Sequence, residues 1–93
     1  MDISMSNIGA IEQYGKNLQM AEQQMLQMFK QLKQQTDVAG TYWNDKQYNQ
    51  FRQDFDRDIM KNVQEIAAKM NVFSNYVAKM CEIQRMAQQQ KYY

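Results

Sequence analysis

Apolar residues recur along the first half of the chain at the spacing of an amphipathic helix. Successive apolar positions are three, four or seven residues apart, which places them on one side of an α-helix. Ser6 or Asn7 can cap the start, and the pattern breaks at Val38, so we expect helix 1 over about residues 7–37. Its stripe consists of Ile8, Ile11, Leu18, Met25, Phe29 and Leu32, widened by Tyr14, Ala21 and Met28.

The second half carries a longer stripe with the same alternation of three and four. Asn44 followed by Gln47 has the form of a capping box, in which each side chain satisfies a free amide of the other residue. We expect a turn over about residues 38–44, helix 2 over about residues 45–89 and a short, fraying tail to Tyr93. The stripe consists of Tyr48, Phe51, Phe55, Ile59, Val63, Ile66, Met70, Phe73, Val77, Met80, Ile83 and Ala87.

Two long amphipathic helices joined by a short turn predict an all-α fold, an antiparallel two-helix hairpin that forms a single domain over residues 1–93. At 1.5 Å per residue the helices are roughly 45 Å and roughly 65 Å long, so about a third of helix 2 is expected to project beyond helix 1. Such an overhang exposes more apolar surface than a monomer tolerates, and dimerisation into a four-helix bundle covers it. The residues expected there are Phe73, Val77, Met80 and Ile83.

Composition supports this fold and removes several kinds of site. The 93 residues include no proline, three glycines, one cysteine and no histidine, which favours helix and excludes an intramolecular disulfide. Zinc and haem sites lose their usual ligands, and we expect no metal and no cofactor. The nine methionines at helical spacing are interpreted as core filler that also suits an adaptable protein interface.

Charge and hydropathy narrow the kinds of partner. Eleven basic and ten acidic residues give a net charge of +1, and the two signs are interleaved, so we expect no nucleic-acid partner and no membrane span. The N-terminus lacks the basic start and apolar run of a signal peptide. We expect synthesis in the cytoplasm and export by a leaderless route, with retention in the cytoplasm as the alternative.

No constellation typical of an active site is apparent, and we expect no enzymatic activity. Asp54, Asp56 and Asp58 alternate along a helix, so their carboxylates point in divergent directions and cannot act as an acid/base pair. Ser-His pairs, Cys-His pairs and glycine-rich phosphate loops are missing from the sequence. Cys81 lies close to Lys79 and Arg85, and we interpret it as an inert thiol at the helix seam rather than a reactive thiolate.

The connection between the helices holds the only tryptophan, Trp43, followed by Asn44 and Asp45 and then by aromatic residues at helical spacing, Tyr48, Phe51 and Phe55. Together with the chain length and the two stripes, this segment resembles the WXG100 (ESAT-6-like) family of small helical hairpins associated with type VII secretion.

One position of the motif departs from the family. The glycine of its Trp-x-Gly motif is here Asp45. An aspartate suits a helix N-terminus, so the turn can still form, and we expect Gly40 to supply a positive-φ position in its place.

The resemblance implies a function in protein–protein recognition. Such a protein is secreted, or is the helical partner and targeting factor of a secreted effector or toxin, and forms a homodimer or a heterodimer with a similar hairpin; a secretion ATPase is a further expected partner. The family's export signal places an acid four residues after a tyrosine, whereas here Tyr76 is followed at that offset by Met80. A partner then supplies the signal, or another machine reads this chain.

Candidate binding residues fall into two groups. Trp43 is expected to staple the end of the hairpin and to form, with Asn44 and Asp45, part of a docking surface. The seven-residue repeat of Ile59, Ile66, Phe73 and Met80 is expected to form the seam of the partner interface. The other residues expected at this interface are Ile11, Leu18, Met25, Phe29, Leu32 and Val77.

Three other functions use the same stripes. A cytoplasmic adaptor or chaperone would hold an amphipathic helix of its client. A structural subunit of a secretion apparatus would polymerise by head-to-tail contacts. A bundle could also enclose a lipid or another hydrophobic small molecule between its helices.

Overall fold

The structure, a computed structural model, describes residues 3–90. A 3₁₀ turn, Met5–Asn7, leads into α1 (Ile8–Ala39), and α2 (Lys46–Asp54) runs through a π-helical turn (Phe55–Ile59) into α3 (Met60–Gln90). Because α2, the π-helical turn and α3 are continuous, we call residues 46–90 the second arm. The expectation of an all-α chain is confirmed over the described residues, and the tail residues 91–93 lie outside them.

Contacts between early and late residues show that α1 and the second arm pack antiparallel. Near the turn, Arg52 reaches Asp37 and Lys33 reaches Asp56, with N–O distances of 3.5 and 3.4 Å. At the far end, Arg85 binds Glu12 at 2.6 Å. The result is a rod with principal extents of 71 × 16 × 15 Å.

Small side chains occupy much of the seam between α1 and the second arm. Ala67, Ser74 and Cys81 follow one another at intervals of seven and are all buried, and Gly15 faces Val77 from α1. A Cβ atom on Gly15 would lie 2.9 Å from Cγ1 of Val77, so glycine allows a close approach of the helices here. The buried residues are Ile8, Gly15, Phe55, Met60, Val63, Ala67, Ser74, Val77 and Cys81.

The π-helical turn keeps two large residues in this seam. Phe55 and Met60 are both buried although they are five positions apart, a spacing at which side chains point in different directions on an α-helix. In the π-helical turn the amide of Met60 donates to the carbonyl of Phe55, which widens the turn and brings both side chains to the same side. The sequence pattern predicts an uninterrupted α-helix here, and this part of the prediction is wrong.

The expected overhang of a third of helix 2 is also wrong. Val77 and Cys81 form a cluster with Ile8, and Ile3 packs against that cluster from the segment before α1. The paired part of the second arm therefore extends through Cys81 to Arg85, which binds Glu12 of α1. The residues expected in the overhang all lie within the paired length: Phe73, Val77, Met80 and Ile83.

The start of α1 lacks the expected side-chain cap. Asn7 occupies the N-cap position, but its side chain accepts no capping hydrogen bond. The Ser6 hydroxyl instead lies 2.8 Å from the hydroxyl of Ser4. The preceding 3₁₀ turn, in which the Asn7 amide donates to the Ser4 carbonyl, leads the chain into the helix.

Candidate protein-binding surface

A row of large apolar side chains stands beside the seam. In the second arm, Ile59, Ile66, Phe73 and Met80 each precede one of the buried seam residues Met60, Ala67, Ser74 and Cys81. Ile66 and Phe73 are 49 and 47 % exposed, and Ile59 and Met80 are partly buried. The large side chains of this stripe are therefore not fully packed within the hairpin itself.

Helix α1 has a matching row, in which Tyr14, Ala21 and Met28 are all exposed and precede the seam-side positions Gly15, Glu22 and Phe29. An antiparallel helix pair has an approximate two-fold axis perpendicular to the plane of the two helices. Rotation about this axis exchanges the helices, but each side of the pair stays on the same side. The residues that precede seam positions therefore share one side in both helices. We call this side the apolar face; it comprises Tyr14, Ala21, Met28, Ile59, Ile66, Phe73 and Met80.

The opposite side, which we call the polar face, carries ion pairs between the helices. Glu12 follows the seam residue Ile11. Arg85 donates two hydrogen bonds to the Glu12 carboxylate, at 2.6 and 2.9 Å. These hydrogen bonds hold the pKa of Glu12 below its usual value, since the guanidinium stabilises the ionised carboxylate. The other two pairs on this face are Lys33–Asp56 and Asp37–Arg52.

The turn end is organised by Asp45. Its side chain accepts from the Tyr48 amide at 2.7 Å and from the Trp43 indole N–H, and both bonds lower the pKa of the carboxyl group, the amide more strongly. The indole stacks on the Tyr48 ring with centroids 4.9 Å apart, and the Tyr48 hydroxyl donates to the Thr36 carbonyl in α1. Tyr48 thus links the half-exposed Trp43 to α1.

Two expectations about this turn are wrong. The capping residue is Asp45 and not Asn44, whose side-chain oxygen accepts from the Asn49 side chain at 3.0 Å. Gly40 has φ of −63°, an ordinary helical value, and so supplies no positive-φ position. Its lack of a side chain serves the packing instead, since a Cβ atom there would lie 2.3 Å from Nη1 of Arg52.

The residues predicted for the partner interface fall into two locations. Val77 is buried inside the hairpin, and five predicted residues of α1 lie at seam positions, where the first four are partly buried and the last is 39 % exposed: Ile11, Leu18, Met25, Phe29 and Leu32. The repeat Ile59, Ile66, Phe73 and Met80 lies on the apolar face. The predicted stripe therefore combines two surfaces that the fold separates.

The aromatic stripe at the start of the second arm is divided in a similar way. Phe55 is buried and Tyr48 partly buried, whereas Phe51 is largely exposed. Phe51 and Phe55 meet edge to face, with ring centroids 5.9 Å apart and planes at 66°. Phe51 therefore remains exposed near the start of the second arm.

Cys81 lies deep in the seam, with 1 % of its surface exposed. Burial raises the pKa of the thiol, with a smaller contribution in the same direction from the nearby Glu12 carboxylate and an opposing one from Arg85. A thiol with a raised pKa and no access to solvent is a poor nucleophile. This environment agrees with the interpretation of Cys81 as a packing residue.

Sequence reasoning missed an apolar strip that points away from the seam. Val72 and Tyr76 are 69 and 55 % exposed and lie on the outward side of α3. With Ala68, Lys69 and Phe73 they line an open depression of about 560 Å³. The sequence does contain a signal for this strip, because Val72 and Tyr76 are apolar residues at positions outside the three-and-four alternation of the stripe.

Residues 3–90 lack two kinds of feature. No helix in this part of the chain is both long enough and apolar enough to cross a membrane. Within the same residues, His, Cys, Asp and Glu side chains nowhere gather in a group of three that could hold a metal ion.

Comparison with known proteins adds no relative from which a role could be transferred. No protein-family model matches the chain, and neither a curated protein nor a solved structure matches it.

Proposed function

We propose that this chain is a WXG100-like recognition hairpin, which pairs through its apolar face with a second helical hairpin to form a four-helix bundle. The observation that carries the proposal is where the small and large side chains lie. Small residues fill much of the seam, whereas four large side chains on one side are about half exposed: Ile66, Phe73, Tyr14 and Met28. A face of this kind is what a second pair of helices covers in a bundle.

Surface area supports a partner of this size. The chain has 7264 Å² of accessible surface, whereas a compact monomer of 11.2 kDa is expected to have about 5,700 Å². The excess of roughly 1,600 Å² per chain is of the order that stable homodimer interfaces remove from each subunit. A second hairpin laid along the apolar face would remove surface of this extent.

The partner is a second copy of the chain or a similar hairpin. The apolar face contains no charged residue, so it imposes no charge pattern on the partner. Charged residues on the polar face form ion pairs within the chain, as in Glu12–Arg85 and Lys33–Asp56. A two-fold homodimer meets these conditions, because the same apolar face is then used twice.

The bundle would act as the helical partner and targeting factor of a secreted effector or toxin, presenting the Trp43 turn to cargo or to a secretion ATPase. The turn is suited to recognition, since Tyr42 is 88 % exposed and Trp43 is held in place by Asp45 and Tyr48. Rigid, exposed aromatic side chains are the commonest anchors of protein interfaces.

The mass of the native protein tests the pairing. We expect light scattering to give twice the 11.2 kDa of the chain for the wild type and for the control Gln64→Glu, which adds a charge at an exposed position outside the apolar face. Phe73→Glu should give the monomer mass or an unfolded chain. A wild-type protein that is monomeric at all concentrations, or a fully dimeric Phe73→Glu, would refute the pairing.

Fractionation of cells tests the role in secretion. The untagged protein is quantified in culture medium and in the cell pellet, with a cytoplasmic enzyme as the control for lysis. Enrichment in the medium supports the secretion role. Strict retention in the cell would exclude it and leave the cytoplasmic adaptor as the function of the same face.

A further inference from the structure

A second apolar surface on α3 stays exposed even when the apolar face is covered. Val72 lies about 170° from the middle of the seam around the helix, and Tyr76 lies next to it on the same outward side. In a four-helix bundle this outward side faces solvent, because each helix contacts its neighbours only through the seam side and one flank. We call the strip Lys69, Val72, Tyr76, Lys79 and Ile83 the outer edge.

The outer edge differs from the outward sides of the other helical segments. Outward positions of α1 include Gln13, Met20, Gln27 and Gln34, so a single exposed apolar residue lies there among polar ones. On α3, by contrast, Val72, Tyr76 and Ile83 are exposed apolar residues, and the Tyr76 ring stacks on Phe73 with centroids 5.9 Å apart. A polar outward side needs no partner, whereas this strip leaves an aromatic pair and two aliphatic side chains in water.

The depression in the outer edge is shaped to receive a side chain. Ala68 is the smallest of its five lining residues, and Lys69, Val72, Phe73 and Tyr76 surround it in a volume of about 560 Å³. A Leu or Phe side chain projecting from a helix fits this arrangement, in which a small residue lies among larger ones.

The charges on the outer edge indicate which helix binds there. Lys69 and Lys79 bracket Val72 and Tyr76, and neither lysine forms an ion pair within the described residues. Glu65 and Glu82 lie beyond them, so the middle of the strip is basic and its ends are acidic. The complement is an amphipathic helix whose apolar stripe is flanked by acidic residues near its centre.

We propose that the outer edge of α3 is a docking site for an acidic amphipathic helix of another protein, adjoining the apolar face at Phe73. A large apolar side chain of that helix seats on Ala68, and its central carboxylates pair with Lys69 and Lys79. The site binds a third component without displacing the hairpin that covers the apolar face.

Two synthetic peptides of about 18 residues, roughly 27 Å when helical, test the site. One carries a leucine stripe flanked by glutamates, and the other carries lysines in place of the glutamates. Anisotropy of a fluorescein label on each peptide is measured against the full chain. We expect the glutamate peptide to bind at least about tenfold more tightly, a difference of about 1.4 kcal/mol.

Variants of the chain locate the binding on the outer edge. Tyr76→Ser should weaken binding of the glutamate peptide, and the double variant Lys69→Glu, Lys79→Glu should reverse the preference between the peptides. Met20→Ser is the matched control, since Met20 is a comparably exposed apolar residue on α1, and it should bind as the wild type does.

Equal binding of the two peptides, or an equal loss in Met20→Ser and Tyr76→Ser, would overturn the proposal. Assembly beyond the dimer that increases with concentration and disappears in Tyr76→Ser would assign the outer edge to a second copy and also overturn it. The mass of each sample is measured in parallel. Selective peptide binding by a monomer would refute only the pairing through the apolar face.

Discussion

The two sides of the hairpin have the same geometry and opposite chemistry. On the polar face, residues that follow seam positions bind across the helix pair, as Arg85 does to Glu12. On the apolar face, residues that precede seam positions, such as Ile66 and Phe73, remain half exposed. One side completes its interactions within the chain and the other does not, so a partner gains far more by covering the apolar face.

The largest expected effect comes from placing a charge on the apolar face. Phe73→Glu should remove the dimer and lower the unfolding midpoint by more than about 10 °C, because a carboxylate cannot be buried there without a partner. Thermal unfolding followed by circular dichroism measures this, and Gln64→Glu provides the same charge on a surface that stays wet. Equal midpoints for the two variants would mean that the apolar face is not buried in solution.

A smaller effect is expected from the seam. Gly15→Val should lower the free energy of unfolding by about 1–3 kcal/mol, because even a Cβ atom at this position lies 2.9 Å from Val77. Gly9→Ala is the control, since a Cβ atom at Gly9 meets nothing within 4 Å. Urea unfolding measures both, and the added variant Val77→Ala should restore part of the loss in Gly15→Val. No loss in Gly15→Val would show that the helices are further apart than described.

The turn that joins α1 to the second arm should make a pH-dependent contribution to stability. Asp45→Ala removes the cap of α2 and should lower the unfolding midpoint by about 4–8 °C at pH 7. Since the folded-state pKa of Asp45 is lowered, its ionised form stabilises the fold above the unfolded-state value of about 3.9, and this contribution is lost as the pH falls through the folded-state pKa.

Asp45→Asn, which keeps a neutral acceptor, isolates this charge effect. The difference in unfolding midpoint between the wild type and Asp45→Asn should be largest near pH 6 and should shrink as the pH is lowered below about 4. A difference that does not depend on pH would exclude the ionised carboxylate as the stabilising group.

The smallest effect is expected on the polar face. Glu12→Gln should change the unfolding midpoint by no more than about 2 °C, because the pair with Arg85 is solvent-accessible and gains little over hydration. The change should disappear in about 1 M salt, where screening acts over roughly 3 Å. Comparing melting curves at low and high salt checks this, and a large effect that persists in salt would show that the polar face is also covered.

The sequence predicts the elements of this fold better than it predicts the role of each surface. The three-and-four alternation indicates both helices, because helical period depends only on local geometry. It does not separate the seam from the apolar face, since Val77 in the seam and Phe73 beside it belong to one alternating stripe. The distinction depends on which residues the opposite helix can approach closely, and the small residues Gly15 and Ala67 determine this.

The turn shows a second limit of the same kind. The sequence identifies a connection around Trp43 and an acidic helix start. It does not determine whether Asn44 or Asp45 provides the cap, since both side chains are able to do so. That choice depends on the indole, which donates to Asp45, and on the position of Tyr48 against Thr36 in the other helix. The contact between Tyr48 and Thr36 arises only once the hairpin has closed.

The π-helical turn also determines how α2 is rotated about the helix axis relative to α3. If this stretch became α-helical with all five residues of Phe55–Ile59 kept, everything before it would rotate by about 100° relative to α3. The Trp43 turn and the apolar face would keep their own residues but would point in different relative directions. The π-helical form of the turn between Trp43 and Met60 is therefore itself a determinant of what a single partner can contact at once.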